Sequence, residues 1–205
     1  MNIAIIGTGN VGGALARRWA GKGHTIALGV RDMENFKGKE LLSVPGIKAM
    51  PVQQAVSSSA VVLLATPAPA AIESARALGN TEGKIIIDAM NTVMGRGPAG
   101  FSNTTDAILA NTATRDVVKC FNTTGANNMD NPQYGDAAID MFMAGDSKEA
   151  KKVARQLALD AGFAECYDMG GNDRFQLMEQ FAFVWINLAM FQGMGRNIAF
   201  KLMKR

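Results

Sequence analysis

The chain has 205 residues, of which 48% are hydrophobic and 19% charged, and a formal net charge of +3. That length supports one good-sized core, the composition excludes a disordered chain, and so small a charge, clustered only at Lys201–Arg205, excludes a nucleic-acid partner. Two cysteines, Cys120 and Cys166, lie among apolar or small neighbours and read as buried free thiols rather than a disulfide. The opening Asn2-Ile3-Ala4-Ile5-Ile6 lacks a leader pattern. The longest nearly unbroken apolar run, Phe181–Phe191, is too short to span a bilayer, so a cytoplasmic protein without a membrane partner is expected.

Taken in chain order, Ile3–Ile6, Thr25–Val30, Val61–Thr66, Lys84–Asp88, Val117–Phe121 and Ile139–Ala144 read as strands. The near-continuous apolar character of VVLLA and KIIID suits strands covered on both faces, hence a mostly parallel sheet. Val11–Lys22 and Ala70–Leu78 read as crossover helices. Met94–Asp116, with Gly95, Gly97, Pro98 and Gly100, reads as a mobile loop holding a short helix near Thr105–Ala113. Asp146 is the expected cap of a helix over Ser147–Ala161, with Glu149 three residues on and Gly162 just past the end. The predicted fold is therefore α/β: one Rossmann-type, doubly wound domain over 1–205, with a core of about 1–145 and an extension over 146–205.

The last helix, Asp173 to about Gln192, sets Phe175, Leu177 and Met178 on one face, and from Phe181 to Phe191 only Asn187 is polar. A helix apolar all round is either packed deep in its own domain or shared with a second subunit. In so short a chain the second reading is preferred, which predicts a homodimer through this helix.

The stretch GTGNVGG, Gly7–Gly13, closes the first strand and opens the first helix. Gly7, Gly9 and Gly12 then have the context that a dinucleotide turn requires. Gly7 permits the tight turn, Gly9 lets backbone approach a diphosphate, and Gly12 lets the helix sit close to the sheet. The first-turn N–H groups face the anion, and Thr8 and Asn10 add short hydrogen-bonding side chains. At the tip of the second strand, ALGVRD places Arg31 before Asp32. Asp32, 20 residues after Gly12, is within reach of a plain ribose. A guanidinium matches a 2′-phosphate with charge-assisted bonds, each contributing about 1.5–3 kcal/mol. NADP(H) is expected over NAD(H).

Other strand tips, Thr66-Pro67, Asn91-Thr92 and Phe121-Asn122, offer small neutral groups where doubly wound sheets take their ligands. His24, the only histidine, falls before the second strand at the opposite edge and reads as structural. No Ser-His-Asp or Cys-His set and no metal-ligand spacing is present. Lys119, inside a strand, reads as half of a structural ion pair or as a snorkelling side chain rather than as a proton donor of shifted pKa. Without a dedicated acid or base, the chemistry best served is a hydride passed between stacked rings, which needs mainly position.

Together, MNIAIIGTGNVGGALA, GHTIALGVRD, VVKCFNT, FMAGDSKEAKKV and NLAMFQGMGRNIAFKL resemble the NADP oxidoreductases dependent on the deazaflavin coenzyme F-420, a family that extends to the reductase domains of membrane ferric reductases. The resemblance implies extra C-terminal strands and a long C-terminal helix around a Rossmann core. It also implies NADP(H) across the strand tips and a deazaflavin or flavin as second substrate. By matching positions, Thr8, Gly9, Asn10 and Val11 hold the diphosphate, Val30 and Arg31 the 2′-phosphate, and Thr66, Pro67, Asn91 and Thr92 the nicotinamide end. Phe121, Asn122 and the Gly193-Met194-Gly195 turn border the second ring. Members often carry Ser-Arg-Arg where this chain has Val30-Arg31-Asp32. Two other readings remain open: a non-catalytic NADP(H)-binding redox sensor or partner subunit, and a small imine- or hydroxyacid-type reductase.

Overall fold

The apolar runs pair into a single main sheet in the computed structural model, which describes residues 1–205. Its first half contains β1 (Asn2–Ile6), α1 (Asn10–Ala20), β2 (Thr25–Val30), β3 (Ile47–Pro51), α2 (Val52–Ser57), β4 (Val61–Leu64), α3 (Ala71–Ala77) and β5 (Ile85–Asp88). Then come α4 (Thr104–Ala110), β6 (Val117–Cys120), α5 (Ala126–Asp130), a small hairpin of β7 (Gln133–Tyr134) and β8 (Ala137–Ala138), and β9 (Met141–Ala144). The chain ends with α6 (Lys148–Ala161), β10 (Cys166–Asp168) and α7 (Phe175–Ile186), which runs on through a π turn, Asn187–Phe191.

The strand order is β10-β9-β6-β5-β4-β1-β2-β3. Every neighbouring pair is parallel except β6 and β9, which run antiparallel with Lys119 opposite Ala144. Side chains alternate across this sheet as the pleat requires. Ile3 and Ile5 face one core with α1 and α6, while Ala4 and Ile6 face a second core with α2, α3 and α4. A third, smaller cluster sits under α7, where Phe142 and Ala144 meet Phe175 and Met178. No helix is long and apolar enough to cross a membrane.

Several expectations shift in detail. β3 and α2 are invisible to the apolar pattern, because β3 is an edge strand with half-exposed residues and ends in Pro51, a residue that only an edge tolerates. β4 stops at Leu64, two residues early, and β9 starts at Met141, two residues late. The cap of α6 is Ser147, whose Oγ accepts the Ala150 N–H at 3.0 Å. Asp146 is drawn away from that role by the Asn172 N–H, which it accepts at 3.0 Å. On α7, Phe175 and Met178 are buried as expected, but Leu177 points outward.

The two thiols face each other at 3.8 Å as free cysteines, and burial followed by the neighbouring Cys166 pushes the Cys120 thiol well up. His24 lies far from the ligand edge and bridges to Asp160 on α6 at 2.9 Å, a structural link.

Candidate cofactor and active site

The glycine turn is built as its sequence demands. Gly7 has φ +101, and a Cβ there would lie 2.5 Å from the Ala65 carbonyl of the neighbouring strand's end. At Gly12 a Cβ would lie 2.1 Å from the Gly7 carbonyl, so only glycine lets α1 start against the turn. Space is open where a Gly9 side chain would stand. No side chain caps α1, and no acidic residue occupies its first turn. The N–H groups of Asn10, Val11 and Gly12 therefore present partial positive charge without an internal partner, the arrangement that binds diphosphate.

A cleft of about 410 Å³ opens beside this turn. It gathers Gly7, Thr8, Val30, Arg31, Thr66 and Pro67 from the tips of β1, β2 and β4, as the sequence anticipates. Asp32 lines it too, but its carboxylate accepts the N–H groups of Glu34 at 2.8 Å and Asn35 at 3.1 Å. One oxygen of this carboxylate, Oδ1, is thus engaged in shaping its own loop. Arg31 stays at the rim, 84% exposed, and touches only Glu73, at 3.2 Å across the mouth. Such an exposed pair is weak and exchangeable.

Sequence reasoning missed the far wall, Asn35, Phe36 and Lys37. The Thr8 hydroxyl donates to the Lys37 carbonyl and clamps this loop onto the glycine turn. Lys37 is an exposed residue of this wall, and its backbone carbonyl takes the Thr8 hydroxyl. The signal that marked it was a lysine pair, Lys37 and Lys39, in a short loop just past the β2 tip.

At the other end, Thr66 Oγ1 pairs with Ser74 Oγ at 2.9 Å and reaches Met90 Sδ at 3.2 Å. Asn91 and Asn122 interlock: Asn91 Nδ2 donates to the Asn122 carbonyl and Asn122 Nδ2 to Asn91 Oδ1, both at 2.8 Å. Two buried atoms in this cluster, Thr92 Oγ1 and Asn122 Oδ1, have no partner within the protein. Met194 is exposed on the segment after the π turn, and nothing within the chain brings it against this cluster.

Phe121 departs from expectation. It has φ +61, and its ring is fully buried, edge-on to Trp19 with centroids 5.5 Å apart. The unusual backbone turns the ring into the core, so it presents no face to a second substrate.

Beneath the Asn91–Asn122 cluster, Lys119 is wholly buried between Asp88 at 2.8 Å and Glu179 at 2.9 Å. Of the two structural readings of this lysine, the ion pair is the one found, with two carboxylates; the side chain does not snorkel to water. Burial pushes the Glu179 carboxyl up, but the Lys119 charge and the Thr104 hydrogen bonds outweigh it and leave it below its ordinary value.

Comparison with known proteins agrees with this geometry. Residues 2–92 match the family described as NADP oxidoreductase, coenzyme F420-dependent. The whole chain superposes on a candidate F420-dependent NADP reductase from an Arthrobacter species, with a TM-score of 0.82, 26% identity and 100% of both chains covered. A hypothetical protein from Sinorhizobium meliloti matches with a TM-score of 0.69 and 24% identity, over 100% of this chain and 96% of that one. The fold is also shared with a reductive aminase from Aspergillus terreus solved with NADPH, at a TM-score of 0.67 and 18% identity. That match covers 94% of this chain but only 62% of the aminase. Over residues 2–92, the stretch that holds the glycine turn, the chain is thus similar to the coenzyme F420-dependent family of NADP oxidoreductases.

Proposed function

We propose that the protein holds NADP(H) across the tips of β1, β2, β4 and β5 and passes hydride between its nicotinamide and a flavin-like or deazaflavin acceptor. One observation carries the reading: beside the uncapped N-terminus of α1, a cleft joins the Gly7–Thr8 turn to Arg31 at the β2 tip. The amides of Gly7–Gly12 take the diphosphate, and Arg31 takes the 2′-phosphate. Val30 backs the adenosine ribose, Thr66 and Pro67 lead toward the nicotinamide, and Asn91 and Thr92 receive its carboxamide. Asn122, interlocked with Asn91, stands where the carboxamide meets the acceptor ring. The bound nicotinamide supplies or accepts the hydride; the chain's own side chains position and shield, and none acts as acid, base or nucleophile.

Mixing the protein with NADPH and either a deazaflavin or a free flavin, while following nicotinamide absorbance, tests the reaction. Tight NADPH binding without turnover on any acceptor would favour a redox sensor. Arg31→Ala should weaken NADPH about tenfold or more and spare NADH; equal losses for both cofactors would remove Arg31 from selection.

The outward side of α7 and its continuation supports a homodimer. Phe183, Val184, Met190, Phe191 and Met194 are all exposed there, next to a buried row of Met178, Ala182, Trp185 and Ala189. A contiguous apolar surface of this kind marks an interface, and a second copy is the proposed occupant. Val184→Glu with Phe191→Glu should convert a dimer to a monomer in light scattering; a wild-type monomer at micromolar concentration would refute the pairing.

A further inference from the structure

The buried charges around Lys119 are spent on backbone. Asp88 Oδ1 accepts the Met90 N–H at 2.9 Å, Lys119 Nζ donates to the Met90 carbonyl at 3.0 Å, and Glu179 Oε2 accepts the Thr92 N–H at 3.1 Å. Three main-chain groups flanking Asn91 are thus gripped by three ionic side chains from β5, β6 and α7. Thr104 and Thr105 complete the set, donating to Asp88 Oδ2 at 2.6 and 2.7 Å, and the Thr104 N–H meets Glu179 Oε1 at 3.0 Å. Apolar side chains of similar volume would stabilise the fold as well or better, so stability alone does not account for such a cluster. Its geometric product is a fixed β5 tip carrying Thr92, tied through Asn91 to Asn122 just past β6; Thr92 Oγ1 and Asn122 Oδ1 remain buried and unpartnered. Buried polar atoms are nearly always satisfied, so these two point to a ligand group that offers both a donor and an acceptor. A primary carboxamide does.

We infer that Asp88, Lys119 and Glu179 are positioning residues, a dry ionic clamp that fixes Met90–Thr92 so that Thr92 and Asn122 can recognise the carboxamide at the reactive end of the cofactor. This rests on the cofactor reading given above. Because Glu179 lies on α7, the clamp also makes the reactive end depend on that helix, whereas the phosphate cleft does not.

The test separates the two ends. For the wild type, 2′,5′-ADP, which lacks the nicotinamide, and NADPH are titrated. Then kcat/KM is compared for NADP(H) and for its acetylpyridine analogue, in which a methyl ketone replaces the amide and removes its donors. The wild type should favour the natural cofactor about tenfold, the worth of one good buried hydrogen bond. Glu179→Gln, which keeps the size but loses the charge and one acceptor, should bind 2′,5′-ADP within twofold of wild type. Its kcat should drop about tenfold and its discrimination against the analogue should largely vanish. A merely structural role would leave that discrimination intact. Unchanged kcat and discrimination in Glu179→Gln would overturn the inference. Should the variant fail to fold, indifference of the wild type to the analogue would overturn it alone. If the wild type binds neither 2′,5′-ADP nor NADPH, the cofactor reading itself fails.

Discussion

The two ends of the proposed cofactor track solve opposite problems. At the phosphate end, the groups that matter are backbone amides and exposed side chains: Arg31 is 84% and Glu73 70% exposed, and the cleft is open to water. At the nicotinamide end, Lys119 and Asp88 are fully buried, and Glu179 nearly so. Charges in water exchange partners freely and are screened by salt, which suits a site that must capture and release a highly charged ligand. Charges out of water are costly to disturb, which suits a site where a ring must be held in one orientation while a hydride moves. On the proposed reading, affinity and alignment are separated in space.

Breaking the dry end should have the largest effect. Lys119→Met leaves two carboxylates facing each other without a cation, at a cost of about 3–5 kcal/mol, or about 6–20 °C in Tm for a chain of this size. A melting curve checks this, and a loss under about 1 kcal/mol would mean that the pair is not dry. Next comes the turn on which the wet end is built. Gly12→Ala drives a methyl against the Gly7 carbonyl at 2.1 Å, and overpacking of this kind costs about 1–3 kcal/mol. As α1 is pushed off the turn, NADPH binding should fall about tenfold or more in a fluorescence titration. The smallest effect belongs to the rim. Glu73→Gln frees Arg31 and should tighten NADPH about two- to threefold at low salt, with the gain fading at high salt as expected of exposed charges. A gain that persists at high salt would contradict the exchangeable role given to that pair.

Much of this arrangement is readable before any coordinates. Thr25–Val30 is a strand to the residue, and the glycine turn, its helix and the parallel central strands follow from uninterrupted apolar runs covered on both faces. What eludes the sequence is what depends on tertiary partners. Edge strand β3 has little apolar signal because half of it meets water. Ser147 wins the α6 cap from Asp146 only because Asn172, far along the chain, claims the aspartate. Phe121 looks like a ligand-facing aromatic until its positive φ swings it into the core. Lys119 reveals a partner but not which one, since Asp88 and Glu179 are 31 and 60 positions away in the chain. Lys37 comes to line the cleft through a loop held by Asp32 and by the Thr8 hydroxyl.

The reversal of direction between β6 and β9 has its own geometric result. With β9 descending where β6 ascends, and β10 following β9 in parallel, the last two strands finish at the sheet's opposite rim, where Gly145 and Gly170 meet near the start of β6. After β10 the chain must therefore travel the full height of the sheet once more before a residue can stand near the proposed nucleotide. Twelve helical residues rise about 18 Å, against about 13 Å for a four-residue strand. The final helix thus overshoots the summit, delivering Glu179 on the way up and carrying its bare aromatic end out over the top.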